Sequence, residues 1–313
     1  MKILVAMTGK DPDLWLPLLR GALPDAEIRS WADGDDLPAD YALVWKPAPE
    51  VLTGRVHLKA IVNMGAGVDA MLDLHCSHPG AIPEGVPIYR LEDAGMAIQM
   101  VEYATYATLR HFRSFDEYEF QRRERLWQPL SPRVASDVVV GVMGLGSLGA
   151  AVASRLALLG MEVRGYSRSH KSIDGVLSFS GTEQFESFLH GVHVLINLLP
   201  NTADTRNVLG KGTFSLLGRG AYIVNLARGV HLVENDLLDA IHTGQVAGAM
   251  LDVFREEPLP ASHPFWDEHR ITITPHISAQ TMPGESVRQV AEKIRAIEDA
   301  RVPTGRVDLC RGY

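Results

Sequence analysis

The chain has little cysteine: Cys76 and Cys310 are the only two in 313 residues. They are far apart and form no C-x-x-C pair, which excludes a disulfide framework and a Cys-based metal centre, so no metal is expected and a reducing cytoplasm is the compartment implied. Long apolar runs are missing as well, which leaves no candidate membrane span. The opening MKILVAMTGKDP is interrupted at Thr8, Gly9 and Lys10, too early for a secretory h-region. Positive charge is scarce: 30 Lys and Arg against 38 Asp and Glu give a net charge of −8, which argues against general nucleic-acid binding. An anionic ligand would then be attracted by local cations rather than by the global field. Internal repeats and low-complexity tracts are also absent.

What is present is ordinary for a globular protein of about two domains, with 46% hydrophobic and 22% charged residues. Short apolar runs bounded by Gly, Pro and Asp alternate with helical patterns, the texture of a parallel α/β protein. Strands are expected at Lys2–Met7, Tyr41–Trp45, Ala60–Met64 and Ile88–Leu91. The stretch Ala94–Phe112 has one Gly and no Pro and carries a thick apolar stripe, as for a helix buried between domains or subunits. After a loop at Ser131–Asp137 come six further strand candidates: Val138–Gly144, Glu162–Tyr166, Val194–Leu199, Ala221–Leu226, Val246–Val253 and Ile271–Thr274. Helices are expected near Leu148–Leu159, Thr182–His190, Glu234–His242 and Glu285–Ala300. Six alternating strands suit a doubly wound (Rossmann) dinucleotide domain. The layout expected is that domain, at about 96–284, inserted in a smaller flavodoxin-like α/β substrate domain at 1–95, with 285–313 and its tail RVDLCRGY returning to the latter. A small ligand is expected between the two.

The run VVVGVMGLGSLGAAVASRLALLG places Gly144, Gly146 and Gly149 as G-x-G-x-x-G after a strand and at the start of a helix. The first allows a tight turn, the second lets backbone approach a pyrophosphate, and the third lets helix and strand pack closely. Leu145, Ser147 and Leu148 fill the loop, and the helix N-terminus offers free N–H groups to a diphosphate. About 20 residues on, an NAD site carries an acid for the ribose 2′-hydroxyl. Here the strand ends in Ser167, Arg168, Ser169, His170 and Lys171. A carboxylate would repel a 2′-phosphate, whereas a guanidinium pairs with it and hydroxyls add donors. The alternative, two solvated surface cations, gives no reason for their position, so NADPH is the preferred cofactor expected, with NAD as the second choice.

Three more polar stretches follow strand candidates, on the side where α/β sheets bind ligands: NLARGV, LDVFREEPLP and ITPHISAQT. Each alone is unspecific. In this order, downstream of the glycine loop and together with NMGAGVD (63–69) and LLPNTADTRN (198–207), they resemble the D-isomer-specific 2-hydroxyacid dehydrogenase family over nearly the whole chain. Within it, Trp45, the YSRS element and VDLCRGY look like the glyoxylate/hydroxypyruvate reductase A branch.

The resemblance implies Arg228, Glu257 and His276 as the catalytic set, with Glu257 rather than Glu256 because the acid directly precedes the proline. It further implies Leu199, Pro200, Thr205, Ala227 and Asp252 as cofactor contacts, the loop Met64, Gly65, Ala66 and Gly67 as substrate-binding, and Trp45 as a wall of the pocket. The residues themselves support the roles. Reduction of a 2-oxo acid needs a proton for the carbonyl oxygen, and imidazole, which titrates at about 6.5 when unperturbed, is a natural donor. A carboxylate at Glu257 would orient the ring and favour the imidazolium. Arg228 can grip the substrate carboxylate and polarise the ketone, unless it is only a salt bridge at a helix start. The loop 63–69 reads equally as an anion-binding nest or as a tight turn without a ligand.

Two points depart from or extend that pattern. After His276 the chain reads Ile277, Ser278, Ala279, Gln280 and Thr281, where many relatives have a small Gly-rich sequence, and Gln280 is placed to alter substrate choice. Trp127 either reaches a neighbouring subunit's site or packs. A homodimer joined through the nucleotide domains is expected. The competing functions are an NADH-linked dehydrogenase of a larger D-2-hydroxy acid and a nicotinamide-nucleotide-sensing protein that acts by binding.

Overall fold

The structure is a computed structural model and describes residues 1–309, 311 and 312. Cys310, and with it any pairing of the two thiols, lies outside the described residues, as does the last residue of VDLCRGY. The chain forms two compact units, Met1–Met96 with Thr281–Tyr313, and Ala97–Gln280. Among the described residues no helix is long and apolar enough to cross a membrane, and no group of three or more His, Cys, Asp or Glu is arranged to hold a metal.

The first unit contains β1 (Lys2–Met7), α1 (Pro12–Ala22), β2 (Glu27–Ser30), β3 (Tyr41–Trp45), β4 (Ala60–Asn63), α2 (Asp69–Ser77) and β5 (Ile88–Arg90). All its strand pairs are parallel and the order is β2-β1-β3-β4-β5, the flavodoxin-like order. Leu4, Ala6, Ala42, Val44 and Ile61 turn alternate side chains into one core.

The second unit contains α3 (Met96–Phe112, whose first residue belongs to the other unit), α4 (Phe115–Arg123), β6 (Val139–Met143), α5 (Ser147–Ala157), β7 (Glu162–Ser167), β8 (Val176–Ser180), α6 (Phe185–Leu189), β9 (Val194–Asn197), α7 (Lys211–Leu216), β10 (Ala221–Asn225), α8 (Glu234–His242), β11 (Val246–Leu251) and β12 (Ile271–Ile273). The parallel order β12-β11-β10-β9-β6-β7-β8 is that of a doubly wound dinucleotide fold with one strand added beyond the sixth position. Its central strands β6, β9, β10 and β11 read as nearly continuous apolar runs because both faces are covered. Val140, Val142, Ile196 and Val224 enter one core, while Met143, Leu195, Ile223 and Leu251 enter the other. In α3, Met100, Val101, Ala104 and Ala107 join the first of these cores, while Ile98 and Tyr106 on the same helix are about half exposed, at 56% and 52%. Burial of that helix within the chain is therefore one-sided.

The last helix, α9 (Pro283–Glu298), belongs to the first unit, as does the stretch beyond it, where Arg90 N–H donates to Gly305 O and Val307 N–H to Ile88 O. The second sheet has seven strands where the sequence suggested six. The strand passed over, β8, and its counterpart β2 in the first unit are edge strands reading VLSFS and EIRS, so neither shows an apolar run. The expected helix Thr182–His190 is a 3-10 turn at Thr182–Gln184 followed by the short α6. The loop Ser131–Asp137 ends in a 3-10 turn at Ala135–Asp137.

Candidate active site

Parallel strands place every C-terminal end on one edge of a sheet, which gathers segments that are remote in sequence. In the seven-stranded sheet that edge carries the exits of β6 (Gly144 onward), β7 (167–171), β9 (198–200), β10 (225–228), β11 (252–257) and β12 (274–278). The change of direction in strand order falls between β6 and β9, the position where such sheets open to a ligand.

The glycine loop fits a dinucleotide on steric grounds. Gly144 has φ +95°, and a Cβ there would lie 2.5 Å from Leu198 O. A Cβ on Gly149 would lie 1.8 Å from Gly144 O, so helix and strand approach too closely for a side chain. On Gly146 a Cβ would meet nothing within 4 Å, so that face of the backbone is open. Gly146 caps α5 with no side-chain bond to its N-terminus, leaving the first N–H groups for an anion. Leu145 is buried and packs where a Cβ on Gly165 would come within 2.7 Å. Ser147 and Leu148 open the helix.

At the exit of β7, Ser167 is buried and its hydroxyl donates to Ser169 O at 2.7 Å, while Arg168, Ser169 and Lys171 are exposed. No carboxylate stands in this segment, so the donor set matches a phosphorylated ribose. At the exit of β9, Thr205 Oγ1 donates to Pro200 O at 2.7 Å and accepts from Thr202 N–H at 2.9 Å, closing the loop that carries Leu199 and Pro200.

His276 and Glu257 meet directly: Nδ1 lies 2.8 Å from Oε2. Glu257 Oε1 also accepts from Phe254 N–H at 3.0 Å. Burial pushes the Glu257 carboxyl up, but the hydrogen bonds from His276 and Phe254 and the charges of His276 and Arg228 outweigh it and hold the group below its ordinary value. Arg228 follows Ala227 and is partly buried, with Nη1 donating to Ala227 O at 2.6 Å.

Asp252 is fully buried, and its oxygens accept from Thr274 Oγ1 (2.6 Å), Ile277 N–H (2.8 Å) and Ser278 N–H (2.8 Å). His276 sits in this turn at φ 55° and donates its own N–H to Asp252 O. Three donors on one carboxylate give Asp252 the task of shaping the turn that presents His276. Behind Thr274 stands Tyr103, whose hydroxyl is 2.5 Å from Thr274 Oγ1 and is pushed well up by burial. Nothing in the sequence pattern pointed to Tyr103 or Thr274, since they are 171 positions apart. Gln280 has its backbone held on both sides by the Gln99 amide, at 2.8 and 3.1 Å.

In the first unit, Trp45 ends β3 and the loop 63–67 leaves β4. A Cβ on Gly65 would lie 2.2 Å from the Trp45 ring, so the indole packs on bare backbone. Asn63, buried, donates through its amide to Gly65 O and Gly67 O, each at 2.9 Å, and Arg90 donates to Ala66 O at 3.2 Å. Met64 is buried and its N–H is taken by Val44 O. The loop's carbonyls are thus tied back, while among the described residues no protein acceptor faces the N–H groups of Gly65, Ala66 and Gly67. Lys10 and Lys46 each bring Nζ to 5.9 Å from the Trp45 ring, which puts cations beside this loop in an otherwise acidic chain.

Comparison with known proteins gives a consistent picture. The family described as D-isomer specific 2-hydroxyacid dehydrogenase, NAD binding domain, matches residues 105–278. Glyoxylate/hydroxypyruvate reductase A of Yersinia enterocolitica is 52% identical over 299 residues, 96% of each chain. The protein of that name from Citrobacter koseri is 47% identical over 313 residues, the full length of both. Among solved structures, a D-isomer specific 2-hydroxyacid dehydrogenase from Xanthobacter autotrophicus in complex with NADPH and MES superposes with a TM-score of 0.93 at 36% identity, covering 100% of this chain and 99% of that one. An NADPH-dependent glyoxylate/hydroxypyruvate reductase from Sinorhizobium meliloti, in complex with NADP and sulfate, gives 0.91 at 35% identity with the same coverage.

Proposed function

Because the chain belongs to the D-isomer-specific 2-hydroxyacid dehydrogenase family, we propose that it reduces small 2-oxo acids, glyoxylate and hydroxypyruvate, to 2-hydroxy acids with NADPH as the preferred reductant. The observation that carries the reading is the His276–Glu257 pair, on the same sheet edge as an open glycine loop and a carboxylate-free β7 exit.

When bound, NADPH supplies the hydride that adds to the carbonyl carbon. Glu257 occupies Nδ1 of His276, so Nε2 holds the proton that passes to the carbonyl oxygen. The carboxylate pairs with Nδ1 and fixes the ring. Arg228 binds the substrate carboxylate and polarises the ketone, and the N–H groups of Gly65, Ala66 and Gly67 receive the anionic end. Trp45 walls the pocket and excludes bulk. Arg168, helped by Ser167, Ser169 and Lys171, takes the 2′-phosphate. Leu199, Pro200, Thr205, Ala227 and Asp252 line the cofactor's path.

The same reading includes a cytoplasmic homodimer joined through the nucleotide units. Trp127 at 99% exposure, with Phe115, Phe120 and Tyr106 about half exposed, supports that assembly. The test of function is NADPH and NADH oxidation, followed by absorbance, with glyoxylate, hydroxypyruvate and pyruvate. Turnover fastest with NADPH and with glyoxylate and hydroxypyruvate supports it; no turnover with any pair overturns it.

A further inference from the structure

A second polar cluster lies behind the site and takes no part in the chemistry above. His231, Asn197 and Asn225 are each fully buried. Asn197 Nδ2 lies 3.0 Å from Asn225 Oδ1 and 2.8 Å from His231 Nδ1, and His231 Nε2 lies 3.2 Å from Pro200 O. At the ends of the cluster, Leu199 N–H donates to Asn197 Oδ1 (3.2 Å), Ala227 N–H donates to Asn225 Oδ1 (3.3 Å), and Asn225 Nδ2 donates to Arg228 O (3.1 Å).

The fixed groups at the ends determine every proton in between. Backbone N–H groups facing both Oδ1 atoms set the orientation of both amides. Pro200 O only accepts, so His231 carries its proton on Nε2. Nδ1 then offers a lone pair, and Asn197 spends its two amide protons on that nitrogen and on Asn225 Oδ1. One arrangement gives both ring nitrogens and both amide oxygens a partner, and a buried network so paired is stiff. It joins the exit of β9, bearing Leu199 and Pro200, to the exit of β10, bearing Ala227 and Arg228.

We infer that His231 is a positioning residue, held as the neutral Nε2–H tautomer, that sets the 198–200 loop and Arg228 in register so that cofactor and 2-oxo acid are presented to each other. This rests on the proposed reading of the site. Losing the ring frees two segments at once, so both ligands are affected, whereas a residue touching one ligand affects that one.

The tautomer is read directly from imidazole nitrogen shifts by two-bond proton–nitrogen NMR of the intact protein. A neutral Nε2–H pattern for His231 at neutral pH is expected, and an Nδ1–H or imidazolium pattern overturns the inference whatever the kinetics. In steady-state assays His231→Leu is expected to raise KM for both NADPH and the 2-oxo acid and to lower kcat/KM by about tenfold or more, the scale of loss a misplaced reacting group brings. His231→Gln, which keeps a donor for Pro200 O, recovers much of this and separates positioning from a folding defect. Wild-type kinetics in His231→Leu alongside a collapse in Arg228→Ala overturns the inference. Wild-type rates in Arg228→Ala itself count against the reading of the site, and against His231 too, since nothing would then need positioning.

Discussion

His276 Nδ1 and Glu257 Oε2 stand 2.8 Å apart although 19 positions separate them in the chain, one leaving β12 and the other β11. With Glu257 held below its ordinary value, the carboxylate is charged throughout the neutral range and acts on His276 as a fixed negative neighbour. Reduction consumes the proton that His276 passes to the carbonyl oxygen, so turnover is expected to depend on this ring. Glu257→Gln should lower kcat by loosening the hold on the ring, and His276→Ala should lower kcat by about two to four orders of magnitude. Near wild-type kcat in His276→Ala, in a pH–rate series at saturating NADPH, would rule out the assignment.

Cofactor choice should change separately. Arg168→Ala is expected to cost on the order of tenfold to a hundredfold in NADPH efficiency, as for loss of a charge-assisted contact, and to leave NADH nearly unaffected. Equal losses with both cofactors would exclude a 2′-phosphate role.

Gly65→Ala tests the substrate loop. A methyl group 2.2 Å from the Trp45 ring must displace the indole or the loop, at a cost on the order of 1–3 kcal/mol for overpacking. The expected result is a raised KM for the 2-oxo acid with an unchanged KM for NADPH. The opposite split, measured by steady-state kinetics, would detach this loop from substrate binding.

Acid should weaken the fold in two windows. His111 is buried against Tyr222 with ring centroids 4.9 Å apart, and burial first, then the charges of Arg133 and His193, push its pKa from 6.5 down to about 4. The unfolded chain therefore takes up a proton that the folded one refuses, and stability falls as pH drops from 6.5 to 4. Glu268, bonded to Arg270, is lowered from 4.5 to about 2, so its contribution is present above 4.5 and lost toward 2. Each contributes on the order of 2 kcal/mol near neutrality. In urea titrations across pH, His111→Phe should remove the upper step and Glu268→Gln the lower; unchanged profiles would refute both.

Light scattering at micromolar concentration is expected to give the mass of a dimer, and Phe120→Glu with Trp127→Ala is expected to shift it toward monomer. A wild-type monomer would end the assembly proposal.

Much of this was legible in the sequence, for identifiable reasons. β1 and β3 are apolar runs bounded by turn residues, and α8 is amphipathic with clear ends, so their limits coincide with the pattern. β2 and β8 lie on sheet edges and need no apolar run, α1 carries Pro17 inside, and α4 buries no residue, so none of them announced itself. The glycine loop was legible because its spacing is local. The His231–Asn197–Asn225 and Tyr103–Thr274–Asp252 networks were not, because their members meet across 22, 28, 34 and 171 positions and hydrogen-bond partners leave no periodic trace.

The strand order of the larger sheet also works as a ruler. Between the exit of β7, with Arg168, and those of β10 and β11, with Arg228 and Glu257, lie three and four inter-strand steps. At about 4.8 Å a step that is roughly 14–19 Å. Any single molecule engaging both ends must therefore lie stretched across the sheet edge. A compact fragment bearing only the adenosine and its 2′-phosphate would occupy one end of the scale, competing with NADPH while leaving the far end, with Arg228 and Glu257, untouched.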